Sequence, residues 1–308
     1  MNHEMLQKLN DLFSSGKITL GQKELLEKAL EQKKVDDSQP LEITSLLEID
    51  QKELYIKLLD EDLQMKGDDN TTQVGIIQGS SLVDVTKSEN KIIIQSKKEN
   101  KTFFGSIFGK QDNTELVVVI PSWMSSRVKT VSGDIQITNF STNMVIKSVS
   151  GDIEIDQLNG NLNAQSISGD IGLKSFKGSL EIASKSGDIK IEDSTIHGVM
   201  KTYSGDINIR GSKAINLDVS DFSGDVMIDN TYADQNLLCK TFSGDIDIKL
   251  NNLTGYIVGS STSGEIKLVQ NNNSQIDLIS QTYGDKSNSL QVQIKTTSGD
   301  GKIRFTND

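Results

Sequence analysis

The chain has 308 residues, with 32 Lys and Arg against 43 Asp and Glu, a net charge of −11, and only three arginines, Arg127, Arg210 and Arg304. That balance repels a phosphate backbone at long range and lacks guanidinium forks to grip one, so nucleic acid is excluded as the expected partner and cationic partners are favoured. Cys239 is the single cysteine, which rules out an intrachain disulfide, and no run reaches the roughly 18 apolar residues of a spanning helix.

The first residues, Met1-Asn2-His3-Glu4-Met5, carry no basic stretch leading into an apolar one, and the last residues carry no anchoring tail. A cytoplasmic protein is expected on that ground, with the cell surface by a non-standard route as the alternative. Residues 1–34 read as a helical hairpin. Met5, Leu6, Leu9, Leu12 and Phe13 recur mostly at i, i+3 and i+4, and Ser14-Ser15-Gly16 supplies a stop. Thr19 with Gln22 then forms a capping box ahead of the stripe Leu25, Leu26, Ala29 and Leu30. Two helices this short are marginal alone. They are expected to cap the next domain, or to act as a handle for a partner or for homo-oligomerisation. Residues 35–40, ending at Pro40, read as a linker.

From residue 41 the apolar period becomes two, as in Leu54-x-Ile56-x-Leu58, Val83-x-Val85 and Ile92-x-Ile94. Residues 41–127 are expected to be irregular rungs of the same stack that follows. Phe103, Phe104 and Phe108 lie in a glycine-containing interruption. They either cover a core edge or form an exposed contact loop. Residues 116–120 are continuously apolar and are expected to be buried on both faces; Pro121 ends that run and Trp123 stands in the turn beyond.

Residues 128–308 repeat Ser-Gly-Asp-Ile-x-Ile, with Gly at 133, 151, 169, 187, 205, 224, 244 and 264, a degenerate copy at Gly284 and a last one at Gly299. A period near 20 means stacked units, each too small to bury its apolar face alone. The expected fold is mainly β: a single-stranded β-solenoid with 18–20-residue turns after the helical hairpin. Stacked serially from residue 41, roughly 13 or 14 turns would make a rod on the order of 65 Å long, with two open ends to be capped. Aliphatics precede the motif Ser by four and six residues (Ile146 and Met144, Ile182 and Leu180), and others follow the Asp (Ile135 and Ile137, Ile189 and Ile191). Two alternating strands per turn are therefore predicted to meet at the Ser-Gly-Asp corner with these residues inward. The motif Gly is expected for a backbone angle that only glycine adopts cheaply.

Three sets of positions are candidates for function. Asp134, Asp152, Asp170, Asp188, Asp206, Asp225 and Asp245, followed by Glu265, form a corner ladder that could collect Ca²⁺ or a cationic peptide. Calcium solenoids need several oxygens converging at each site, however, whereas here one carboxylate recurs per turn, near Lys129, Lys147, Lys201, Lys240 and Lys295 that would offset it. A structural corner is the stronger reading. The residue before the motif Ser is Val131, Val149, Ile167, Lys185, Tyr203, Phe222 and Phe242 in successive turns, an outward position where the last three would stack into an aromatic ladder. That ladder is read either as a contact surface or as packing against a loop. Asp221 replaces the hydroxyl otherwise found two residues before the motif Ser (Thr130, Ser148, Ser166, Ser184), in the first 19-residue interval, which suggests a bulge in that turn. His3 and His197 are the only histidines, and neither joins Cys239 or a second ligand in a recognisable set. No catalytic residue, metal site or cofactor is expected, and the chain is read as not an enzyme.

Val119-Ile120-Pro121, then Lys129-Thr130-Val131-Ser132-Gly133-Asp134-Ile135 and the repeated Ser-Gly-Asp-Ile units, resemble the bacterial adhesin-type β-strand-repeat family over about residues 41–308. Leu9-Asn10-Asp11-Leu12-Phe13-Ser14-Ser15-Gly16-Lys17-Ile18-Thr19 resembles the short helical module fused ahead of it. The combination is similar to the YvlB-like and LiaX-like proteins of Gram-positive bacteria. The resemblance implies a β-solenoid and a link to cell-envelope stress, including responses to cationic antimicrobial peptides, and it implies no catalytic residues. The expected function is a non-enzymatic structural or binding scaffold acting through protein or peptide interactions. The alternative is a surface-exposed adhesin or sensor that binds cationic antimicrobial peptides or envelope components.

Overall fold

In a computed structural model of the chain, residues 47–48, 53–88, 90–97, 114–251, 255–269, 275–279, 283–284 and 290–305 are described. The expected hairpin of 1–34, the linker of 35–40 and Phe103, Phe104 and Phe108 lie outside the described residues. The remainder is mainly β, with one short 3₁₀ turn at Ser80–Leu82. No helix among the described residues is long and apolar enough to cross a membrane.

Alternating apolar residues dictate strands with one buried face, and the strands pair in parallel at the repeat offset. Ile135, Ile153, Ile171, Ile189 and Ile207 are successive in-register partners 18 residues apart, and Val226 and Ile246 continue the column. A second column runs in register through Ile146, Ala164, Ile182 and Met200. Each circuit thus gives one strand before the Ser-Gly-Asp corner and one after it, stacked as solenoid-like coils. The inward residues of both columns form one continuous core from Leu54 to Phe305. The strand Glu115–Pro121 departs from expectation. Leu116, Val118 and Ile120 are fully buried, but Val117 and Val119 are only half-buried, because the strand lies in the same one-faced column as the others.

The corners also differ from the sequence reading. Apart from the degenerate copy Gly284, at φ 95°, the motif glycines are not left-handed. Their Cα atoms lie directly against the carbonyl of the neighbouring coil: a Cβ on Gly151 would stand 2.0 Å from the Gly133 oxygen, and one on Gly187 2.1 Å from the Gly169 oxygen. Close approach, not torsion, demands glycine here. The left-handed backbone belongs to a second corner six residues later, at Asn139, Gln157, Ser175, Asp193, Gly211 and Asn230, with φ between 48° and 63°. The residue after each of these turns inward, at Phe140, Leu158, Phe176, Ser194, Ser212 and Thr231. Where that buried residue is a hydroxyl, it donates to the carbonyl two residues back, at 2.7 Å for Ser194, 2.9 Å for Ser212 and 3.0 Å for Thr231. The extra residues of the 19- and 20-residue intervals enter between Ala214 and Leu217 and between Ala233 and Asn236, in the strand before the corner. The coil of Asp221 thus carries the expected bulge, placed in its strand before the corner.

Coil order matches chain order only in the middle of the stack. The coil of Glu53–Lys57 and Asp62–Asp68 lies between that of Lys91–Ser96 and Glu115–Pro121 on one side and that of Ser125–Lys129 and Ile135–Ser141 on the other. The last coil, Leu290–Thr296 and Gly301–Phe305, likewise lies between residues 236–250 and the coil of Gly255–Ser261 and Ile266–Val269. Serial stacking is therefore wrong at both ends. The outer edges are closed by antiparallel strands: Gln73–Gln78 and Val83–Ser88 at one end, Gln275–Asp277 and Tyr283–Gly284 at the other.

Candidate functional site

The corner is a hydrogen-bonded ladder. Asp134 N donates to Asp62 Oδ1 at 3.0 Å, Asp152 N to Asp134 Oδ1 at 2.9 Å, and Asp170, Asp188, Asp206, Asp225 and Asp245 each repeat the bond to the preceding coil at 2.8 Å. The series ends through the intercalated coil, Asp300 N to Asp245 Oδ1 at 2.8 Å and Glu265 N to Asp300 Oδ1 at 2.9 Å. One oxygen of each Asp in the series thus accepts an amide that parallel strands leave unpaired where the chain bends. Asp62 and Asp300 complete the ladder; the first lacks the Ser-Gly motif, so repeat alignment passes over it. No group of three or more His, Cys, Asp or Glu among the described residues is arranged to hold a metal ion. The offsetting lysines are not at this corner either. They lie on the strand before it, where Lys240 Nζ pairs with Asp218 Oδ2 at 3.5 Å.

Behind the corner runs a row of buried hydroxyls that explains the second recurrent position. Thr130, Ser148, Ser166, Ser184 and Thr202 each accept the motif Gly N–H, at 2.9–3.2 Å. Asp221 takes the same role through Oδ2 to Gly224 N. It is buried, and its Oδ1 has no hydrogen-bond partner among the described residues. Burial pushes its carboxyl above the ordinary carboxylate range, against the pull of the Gly224 N–H.

The aromatic ladder forms as expected. Tyr203 and Phe222 stack with ring centroids 4.7 Å apart and planes within 5°, and Phe222 and Phe242 at 4.9 Å and 1°. The strand spacing sets that separation. The three rings stay 54%, 41% and 49% exposed. The aliphatic end of the column is less outward than predicted: Val149 is buried, and Val131 and Ile167 are half-buried. Because each ring covers its neighbour's face, the stack offers solvent mainly ring edges.

His197 is exposed on Thr195–Lys201, whereas Cys239 is buried in the core, so the two do not meet. Burial, with Asp218 adding to it, pushes the Cys239 thiol far above its usual range. Trp123 is half-exposed in its turn.

The Toastrack DUF4097 family model matches residues 51–304 of this chain. A crystal structure of a candidate cell adhesion protein from Clostridium sporogenes aligns with 87% of this chain and 100% of that one, at 11% identity and a TM-score of 0.21, a likeness on which nothing further rests. No curated protein matches the chain.

Proposed function

The chain belongs to the Toastrack DUF4097 family, and from that membership and its surface we propose that it is a non-enzymatic binding scaffold that holds a protein or peptide partner along its flank. The observation that carries this reading is the exposed Tyr203–Phe222–Phe242 stack. Large apolar side chains left half in water gain on the order of 1 kcal/mol or more each when a partner covers them. The stack presents edges rather than faces, so it suits aliphatic groups and carbonyl oxygens of a peptide better than the flat face of a sugar ring.

The link to cell-envelope stress, the YvlB-like and LiaX-like relationship and the role of residues 1–34 as an assembly handle are part of the same proposal; they rest on the sequence resemblance. A cationic-peptide sensor is the weaker reading, because each corner carboxylate already commits one oxygen to the fold. The test is a photo-crosslinking amino acid placed at Phe222 in the full chain, with Lys302 as the control position, in cells that produce the protein. A discrete adduct at position 222 alone is expected. No adduct at 222, or the same adducts at both positions, overturns the proposal. Removing residues 1–34 is expected to change oligomeric mass or the crosslinked partner while the β signal in circular dichroism survives.

A further inference from the structure

The outward face before the corner carries a concentration of cations at one end of the stack. Lys57, Lys129 and Lys147 are in-register neighbours on three successive coils, and Gln95 and Gln165 extend the file with neutral amides at its two ends. Strand spacing puts such neighbours about 5 Å apart. Arg127, two residues before Lys129, shares this face, as does Lys91 on the adjacent coil. Both lie over the Tyr55 ring, each 5.8 Å from its centroid.

The carboxylates on the same outward positions are few. Glu53 accepts the Tyr55 hydroxyl at 2.7 Å, and Asp84 sits on the edge strand opposite Gln95. Among the described residues, none of the five cations has an ion pair. Burial holds Lys57 and Lys129 below the usual lysine range, and their cationic neighbours push the same way. Adjacent like charges at about 5 Å repel one another even in water. A chain with 43 acidic residues keeps five cations together here at that cost.

We propose that this file is a binding track for a linear, flexible phosphate polymer. Ammonium groups bind phosphate as point charges and need no fixed fork geometry, which fits lysines spaced by strand pitch along one line. The three lysines stand in a single file with only Arg127 and Lys91 beside it, and its coils turn into the carboxylate ladder a few residues on, so a chain suits it and a flat anionic membrane does not. Base stacking is not provided for, since Tyr55 is flanked by Lys91 and Arg127 and its hydroxyl is engaged. The acidic remainder of the surface is screened beyond about 8 Å at physiological salt.

The experiment titrates fluorescently labelled long-chain polyphosphate with the full-length protein at several salt concentrations. Four to five cations predict a slope of about −3 in log affinity against log salt, a loss of roughly sixtyfold between about 50 and 200 mM. Lys57→Gln, Lys129→Gln and Lys147→Gln together should bring the slope to about −1. Lys201→Gln, Lys240→Gln and Lys295→Gln, which alter the same column beyond the track, should leave it unchanged. Circular dichroism and melting temperature establish that both triple variants fold. Equal losses in the two variants, or no binding at low salt, overturn the proposal. So does binding of poly-glutamate or of phosphatidylglycerol vesicles at least as tight as polyphosphate of matched charge.

Discussion

Gly187→Ala separates two physical accounts of the motif glycine. Gly187 is not left-handed, so its backbone tolerates alanine, and the reduced freedom of the unfolded chain would by itself stabilise the protein by about 0.4–1 kcal/mol. The neighbouring coil reverses the sign. The new Cβ would stand 2.1 Å from the Gly169 oxygen and 2.6 Å from its carbonyl carbon, both backbone atoms that no rotamer can move. Relief requires the coils to part by about 1 Å at this corner. The bonds that hold it shut are Ser186 N to Ile167 O at 3.0 Å, Ile171 N to Asp188 O at 2.9 Å and Asp188 N to Asp170 Oδ1 at 2.8 Å. Losing two or three of them at about 1 kcal/mol each, less the unfolded-state gain, gives a net loss of roughly 1–3 kcal/mol. Urea unfolding followed by circular dichroism measures the total, and hydrogen exchange at Ser186 and Ile171 shows whether the opening is local, as stacked repeats allow. A neutral or stabilised Gly187→Ala protein would refute close approach as the reason for the motif glycine.

Two further outcomes test the corner and the row behind it. Asp170→Ala removes the acceptor of the Asp188 N–H and should cost about 1 kcal/mol, while Asp170→Asn keeps an acceptor oxygen, relieves repulsion along the ladder and should cost little; equal losses in urea unfolding would mean that the charge matters and the hydrogen bond does not. Asp221→Thr installs the hydroxyl found in other coils. Burial raises the Asp221 carboxyl in the folded state, so its ionised form burdens the fold above that raised value and the burden disappears as pH falls toward the ordinary value of 3.8. The variant should therefore melt higher than the parent at pH 7, with the difference shrinking on acidification, and a difference independent of pH would rule this account out.

Much of the coil was legible in the alternation. Leu180, Ile182, Ile189 and Ile191 were placed inward by period two alone, and the aromatic ladder followed from the position of Tyr203, Phe222 and Phe242 one residue before the motif Ser. What recurrence does not show is the force behind it. A glycine kept for torsion and one kept for contact look alike as letters. The true left-handed corner is occupied by Asn139, Gln157, Ser175, Asp193, Gly211 and Asn230, whose polar, turn-forming character at the repeat spacing was the available signal. Lys129 and Lys147 were visible in the repeat, but their continuation through Lys57 was not, because the coil of Glu53–Lys57 stacks out of chain order.

Coil order was beyond the sequence for a different reason. Gly244 and Gly264 keep the 20-residue interval of their neighbours, so Ile266 carries the same pattern as the coil that should meet Ile246, yet Gly301 meets it instead. Repeats specify what each edge offers and leave open which edge it meets. The segments between the coils decide. Gln275–Asp277 and Tyr283–Gly284 occupy the outer edges of Ile266–Val269 and Gly255–Ser261, and that leaves the inner edge for the last coil, where Arg304 Nη2 reaches both Asp247 oxygens at 2.6 Å. At the other end Gln73–Gln78 and Val83–Ser88 do the same for the strands they cover. Unpaired strand edges are the usual route by which such stacks grow end to end, and here the terminal coils are covered by antiparallel strands of the same chain. The aromatic ridge and the lysine track both run along the flanks, parallel to the stack.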